Sequence, residues 1–273
     1  KFNPEKKIEI IEVENNSNIK NLGEKKIYLI KNKKNIGLTA GLNIGYKFSN
    51  KNKYDYIARV DCDFILTKQY LEKMIKIFET DKEIVALSPK VKHAFIRDSV
   101  WWKGVNFDWF YLKFQRTMNL KKQRTFDNKN LKGLIKTDAI CGCCSIYKPE
   151  VLHKCGYGDE EFFFGPEDIE LSFRLKKFGK LMVNLDTHTF HKIATSLTIS
   201  GIFQRTYNET FGFLLLIKKI GNQLDKLIGY MYFIFRIPYF YILMILKIRK
   251  KNFVLAFSKG CYDFFRNKNL TKK

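Results

Sequence analysis

Two pairs of acidic residues stand where this chain could do chemistry. Asp61-Cys62-Asp63 follows an apolar run at residues 56–60. Two carboxylates at a strand end suit a hard cation, Mg²⁺ or Mn²⁺, which keeps coordination positions open for phosphate oxygens. Glu167-Asp168 follows Phe162-Phe163-Phe164-Gly165-Pro166. Adjacent acids at a helix start cap its N–H groups, and one of them can also serve as a general base aimed from that end. The helix dipole lowers a carboxyl pKa there, and aromatic burial opposes it. His188 and His191 follow the apolar run at 181–185, and one imidazole would complete a carboxylate-held Mn²⁺ site. Zinc held by these histidines with His153, Cys141, Cys143 and Cys144 is not expected. The spacing matches no zinc pattern, and alternate strand residues face opposite ways. The stretch from Asn35-Ile36-Gly37 through Gly41, Asn43 and Gly45 is neither a dinucleotide fingerprint nor a P-loop. Its small residues still allow a backbone to approach a nucleotide closely.

These side chains need elements to hold them. Apolar runs predict strands at 8–13, 27–30, 56–60, 84–87, 140–147 and 181–185. Helices are predicted from the 35–45 segment to about residue 49, at 68–79 and at 167–178. Glu14-Asn15-Asn16-Ser17 reads as a turn. Pro166 and Gly179 bracket the last of those helices. Alternating strands and helices imply an α/β protein with a parallel or mixed sheet, which binds ligands at the carboxyl ends of its strands. Asp61 and Asp63 stand at such an end. Residues 93–137 are less regular, and Trp101, Trp102, Phe107, Trp109, Phe110, Tyr111 and Phe114 crowd their first half. They read as a hydrophobic mini-core, or as a platform on which a sugar ring stacks.

Composition bounds the rest. The chain has 273 residues, 45% of them hydrophobic and 15% aromatic, which excludes disorder. With 16 glycines and 5 prolines it is neither collagen-like nor low in complexity. Six cysteines in a long apolar chain read as reduced thiols in a cytoplasmic compartment. The chain begins at Lys1 without a signal-peptide pattern, so an upstream piece is expected. The formal charge is +23, and residues 205–273 hold 14 basic against 3 acidic residues. That tail also holds the apolar stretch 227–246, split by Arg236 and Pro238 and flanked by lysines. A spanning helix would carry an Arg costing about 2.5–3.5 kcal/mol on insertion scales. Core helices are a second reading. The split favours a third, a pair of helices lying in the interface of an anionic membrane. Nucleic acid is not expected as a partner, because no zinc finger or aromatic sheet signature accompanies the charge.

Taken in order, these segments resemble the family 2 glycosyltransferases of the GT-A fold, and most closely their rhamnosyltransferase-like branch of surface-polysaccharide assembly. The resemblance covers roughly residues 8–215. Ile8 to Ser17, IEIIEVENNS, is similar to the family's second strand and its Asp-Asn-x-Ser turn, with Glu14 in place of Asp. Residues 35–45 resemble its Asn-x-Gly…Gly-x-Asn-x-Gly segment, and Asp61-Cys62-Asp63 matches its Asp-x-Asp motif. Residues 141–151 resemble the strand before the acceptor loop. Phe162 to Arg174, FFFGPEDIELSFR, is similar to its Glu-Asp helix and is the most specific match. His191 with Ser196 resembles its His…Ser segment, and residues 256–264 look like a membrane-proximal segment. The opening strand with its Pro-x-Tyr/Phe-Asn turn has no counterpart before Ile8.

The resemblance implies a mixed, mostly parallel sheet flanked by helices, a catalytic domain over 1–204, and a membrane-associated helical extension over 205–273. It implies an inverting transfer from a nucleotide-diphosphate sugar to a hydroxyl of a lipid-linked saccharide at the inner face of the cell membrane. In that reading Asp63 and His191, with Asp61 nearby, hold Mg²⁺ or Mn²⁺. Glu14, Asn16, Asn35, Gly37, Gly41, Asn43 and Asp61 contact the nucleotide, Asp168 is the base, and Glu167 orients Asp168 or the acceptor. Two alternatives stand beside it: a metal-dependent nucleotidyl or phosphoryl transferase, and an inactive glycan- or nucleotide-binding module.

Overall fold

The computed structural model describes residues 10–15, 27–105, 125–127, 131–192, 199–247, 250–268 and 270. The expected contributions of Asn16, Ser196 and the aromatics from Phe107 to Phe114 lie outside these residues. The first described strand, β1 (Ile10–Asn15), runs parallel to β2 (Ile27–Asn32) as a two-stranded sheet. Glu14 therefore sits within β1, opposite Lys31, rather than in a turn. The ladder to β2 carries the strand through the polar residues at its end, where the apolar pattern stops.

Among the described residues the main sheet has eight strands. Its spine is β3 (Ile57–Val60), β9 (Cys144–Tyr147), β5 (Ile84–His93), β10 (Lys180–His191) and β4 (Phe64–Leu66). Three short strands lie off that path: β6 (Ser99–Trp102), β7 (Thr125–Phe126) and β8 (Leu134–Lys136). The sheet is mixed, as expected, but it is not mostly parallel. Within it β5 and β10 run parallel, while β4, β6, β8 and β9 join antiparallel. Of the antiparallel strands, β9 lies within the run expected at 140–147, while β4, β6, β7 and β8 are two to four residues long, too short for an apolar period to reveal.

Helices cover both faces. Met74 and Phe78 of α2 (Tyr70–Thr80) pack with Ile84, Leu87, Ile146 and Met182. On the other face Tyr46 of α1 (Leu38–Lys51), Leu152 of α3 (Pro149–Lys154) and Leu175 of α4 (Glu167–Leu175) pack with Val85, Tyr147 and Leu181. Neighbouring strand residues such as Ile146 and Tyr147 thus serve opposite faces, the period of two that a sheet imposes.

A third core is built by α5 (Ile199–Ile220), α6 (Gln223–Ile245) and α7 (Lys251–Phe265). It includes Ala139, Phe162 and Ile169, so the helices share a core with the sheet region. The expected boundary at 204/205 falls inside α5. The expected pair of helices over 227–246 is one continuous helix with Pro238 inside it. An interior proline costs a helix about 3 kcal/mol or more. Packing on both sides of it outweighs that cost: Phe233 stacks on Phe257 with centroids 5.7 Å apart, and Phe240 meets Phe257 edge-on at 4.8 Å.

Candidate active site

The acidic start of α4 is anchored by backbone. Asp168 Oδ2 accepts the Gly142 N–H at 3.0 Å, and Oδ1 accepts the Ile169 N–H at 2.8 Å. The Asp168 carbonyl accepts the Ser172 hydroxyl at 2.6 Å, and that hydroxyl oxygen accepts the Ile140 N–H at 3.0 Å. Residue 142 must be glycine for this approach, since a Cβ there would lie 2.6 Å from Asp168 Oδ2. Burial raises the Asp168 pKa to about 7, with the Glu167 charge adding to the rise; Arg59 and the two N–H donors oppose it. The carboxyl group is thus poised near neutral pH, where a general base works best.

Arg59 links the acidic pairs. The alternation of β3 turns it inward, and its side chain is only 5% exposed. Nε lies 3.3 Å from Asp61 Oδ1, while the terminal nitrogens reach Glu167 Oε1 at 3.3 and 3.4 Å. A buried guanidinium needs such carboxylates, because an unpaired buried charge is strongly destabilising. Beside it the Tyr46 hydroxyl is buried, and burial raises its pKa to about 12, with the Arg59 guanidinium opposing the rise. Arg59 belongs to no sequence motif. Its signal was a charged residue at an inward position of IARV, on the same strand face as Ile57.

Asp61 and Asp63 do not share a strand face. They occupy the turn between β3 and β4, with the Asp61 N–H on the Cys143 carbonyl at 2.9 Å. Asp61 faces Arg59, whereas Asp63 Oδ2 lies 3.0 Å from His191 Nε2. Among the described residues no three His, Cys, Asp or Glu side chains form a metal-holding group. Of the expected set Asp61, Asp63 and His191, the structure brings Asp63 and His191 together, while Asp61 lies against Arg59. The His191 ring stacks on Phe64 (4.5 Å, 21°) and meets Trp101 edge-on (4.5 Å, 77°). The length of β10 brings it there: the strand continues past irregular register at Asn184/His188 and pairs His191 with Phe64. His188 turns elsewhere, and burial followed by Lys92 and Lys90 lowers its pKa.

Part of the 35–45 segment is engaged with the loop before α4. Asn43 gives its amide to the Gly158 carbonyl at 2.8 Å and accepts the Gly158 N–H at 2.8 Å. The same amide nitrogen reaches Glu160 Oε1 at 2.9 Å. Thr39 Oγ1 donates to the Phe162 carbonyl at 2.6 Å, and the Leu38 N–H to that of Phe163 at 2.8 Å. Gly37, at φ +93°, is overlain by Phe163, whose ring carbon would lie 2.8 Å from an added Cβ. Gly41 is buried, and Asn35, which is exposed, accepts the Gly37 N–H. The start of α1 thus clamps the loop that leads into Glu167 and Asp168.

A mixed sheet with helices on both faces, an acidic turn after β3 and an acidic helix start at α4 define a glycosyltransferase of the GT-A fold. The chain belongs to glycosyl transferase family 2, whose profile matches residues 3–156. It is 24% identical over 174 residues to the hyaluronan synthase of Pasteurella multocida, covering 54% of this chain and 17% of that enzyme. Among solved structures, GalNAc-T7 with UDP, GalNAc and Mn²⁺ superposes with a TM-score of 0.57 at 16% identity, over 97% of this chain and 52% of that one. The mannosyltransferase PcManGT from Pyrobaculum calidifontis, in complex with GDP-Man and Mn²⁺, gives a TM-score of 0.48 at 9% identity, over 89% and 71%. The chain therefore spans about half of GalNAc-T7 and a small part of the hyaluronan synthase.

Proposed function

We propose that this chain transfers a sugar from a nucleoside-diphosphate sugar to a hydroxyl of a saccharide, with inversion at the anomeric carbon. The observation that carries the reading is Asp168: a carboxyl group with a pKa raised to about 7, fixed by two N–H donors at a helix start. In this mechanism the acceptor oxygen bonds to the anomeric carbon and its proton passes to Asp168. The bond from that carbon to the diphosphate oxygen breaks, and its electron pair leaves with the diphosphate. Glu167, fixed by Arg59, lies beside Asp168 and raises its basicity. Asp61, on the other side of Arg59, is assigned to the donor's ribose in this reading.

Asp63 and His191 fit a divalent cation. Their donor atoms are 3.0 Å apart, the edge of an octahedron with bonds of about 2.1 Å. Mg²⁺ or Mn²⁺ bound there would neutralise charge on a donor diphosphate. The UDP and Mn²⁺ complex of GalNAc-T7 supports a nucleotide-sugar donor and a metal. The likeness to a hyaluronan synthase supports a polysaccharide product. The finer resemblance to rhamnosyltransferase-like enzymes puts a deoxyhexose among the donors to test. The basic, apolar C-terminal helices support a lipid-linked acceptor and a cytoplasmic enzyme on the inner membrane face, against anionic lipid.

A thermal-shift panel tests the donor site. UDP, dTDP, GDP and CDP are added to the full chain with and without Mn²⁺. The proposal expects a metal-dependent shift with one nucleotide that Asp63→Ala abolishes. The same shift in Asp63→Ala would refute the metal assignment, and no shift with any nucleotide would favour a binding module of another kind.

A further inference from the structure

The helix α6 carries two opposed faces. Leu224, Leu227, Met231, Ile234, Phe235, Tyr239, Ile242 and Ile245 are all exposed, up to 74% at Ile245. At about 3.6 residues per turn they fall on one stripe of roughly 140° along the whole helix. Gly229, Phe233 and Phe240 lie on the opposite side and are buried. The one charge in the middle of the helix is kept off the stripe: the Arg236 guanidinium lies 4.4 Å from the Tyr232 ring centroid and 5.5 Å from that of Phe240. Lysines flank the helix, with Lys218 and Lys226 at one end and Lys247, Lys250 and Lys251 at the other. Among the described residues none of these five has an acidic partner.

We infer that α6 lies flat in the surface of an anionic phospholipid bilayer, stripe down, and does not cross it. The inference deepens the membrane contact proposed above and rests on it. A span is open to α6 by length and apolar character. Crossing would draw Phe233 and Phe240 out of the core that they share with Phe162 and Ile169 of the sheet region, beside the loop that leads into Asp168. Lying flat leaves that core intact and covers the exposed apolar residues. It also places cations at both ends of the stripe against anionic headgroups, the arrangement that holds interfacial helices. The occupant is therefore lipid rather than a second copy of this chain, whose own +23 charge would oppose the contact.

The docked layer also holds the catalytic loop. An added Cβ at Gly212 of α5 would lie 2.0 Å from the Gly165 carbonyl oxygen, so helix and loop touch backbone to backbone. Lys219 reaches Asp159 and Glu161 at 2.5 Å each. Asp168 is thereby held at a fixed height above the membrane.

The test uses the full chain and vesicles of phosphatidylglycerol with phosphatidylcholine, against phosphatidylcholine alone. The protein is expected to co-sediment with the anionic vesicles and to be extracted by alkaline carbonate. The pair Phe235→Glu with Ile242→Glu is expected to weaken binding at least tenfold with no loss of Tm. Residue 235 sits near the helix midpoint, so Phe235→Trp reports orientation without adding charge. Its added fluorescence is expected to be quenched most by lipids brominated near the headgroup; strongest quenching by deep bromines, or resistance to carbonate, would overturn the inference in favour of a span. A concentration-dependent dimer that the glutamate pair dissociates, with vesicle binding unchanged, would assign the stripe to a second copy and overturn it too. Vesicle binding needs no catalysis, so its failure leaves glycosyl transfer standing, and failed turnover leaves the docking standing.

Discussion

Asp168 draws its chemistry from three neighbours. Burial and Glu167 push its pKa up to about 7, and Arg59 restrains the rise. Only the ionised carboxylate accepts a proton, so kcat is expected to climb from pH 6 to 8 and to level off above. In Arg59→Met the restraining cation is gone, and the rising limb of the pH–rate profile is expected to move to higher pH; an unmoved limb would show that Arg59 does not act through Asp168. The sign for stability is opposite. The folded chain keeps a proton on Asp168 between about pH 4 and 7 that the unfolded chain releases, so this residue's contribution to stability falls as pH rises through that window. Gly142→Ala should displace the Asp168 carboxyl group and lower kcat at least tenfold, measured at saturating donor, because a Cβ has no room beside Oδ2. This residue scale was half legible. Glu167, Asp168, Asp63 and His191 are marked by motif. Arg59 and Gly142 act only through contacts that residues far apart in sequence make on folding.

At the scale of elements, the joint between α1 and the loop at 157–166 decides how firmly Asp168 is held. Asn43 satisfies both backbone groups of Gly158, and Asn43→Ala leaves them buried without partners. Such a loss costs about 1–3 kcal/mol per group. The variant is expected to melt earlier and to lose kcat more than donor affinity, read by turnover and by nucleotide binding. An equal loss of nucleotide affinity would return Asn43 to the donor site, where the sequence resemblance put it. The elements themselves were largely readable, since α1, α2, α4, β3 and the starts of β5 and β10 follow apolar periods. The apolar run of β10 ends at Leu185, where Asp186, Thr187 and His188 break it, while its ladder to β5 resumes at His188. A strand held by backbone pairing leaves no apolar signal. The joint was hidden for another reason: Asn43 and Gly158 lie 115 residues apart, and a small polar segment reads the same whether it meets a nucleotide or a loop.

At the scale of the whole molecule, the described C-terminal helices pack into a core that reaches the sheet region. Composition made the C-terminal helices look like an appendage because charge and apolar density rise there. In the structure they share a core with Phe162 and Ile169. Phe257, fully buried against Phe233 and Phe240, ties α7 to α6, and Phe257→Ala is expected to cost about 3–5 kcal/mol. A chain truncated after residue 220 is expected to lose solubility or Tm rather than to float free as an intact enzyme. A truncated chain melting like the full one would mean that the helices are separable. The central claim remains chemical, and one comparison tests it most directly: turnover of the nucleotide sugar whose base the thermal-shift panel selects, by the full chain and by Asp168→Asn at equal donor occupancy. The account predicts a fall of about 10²–10⁴ in kcat with nucleotide affinity retained. Turnover by Asp168→Asn at the rate of the unaltered chain would contradict it.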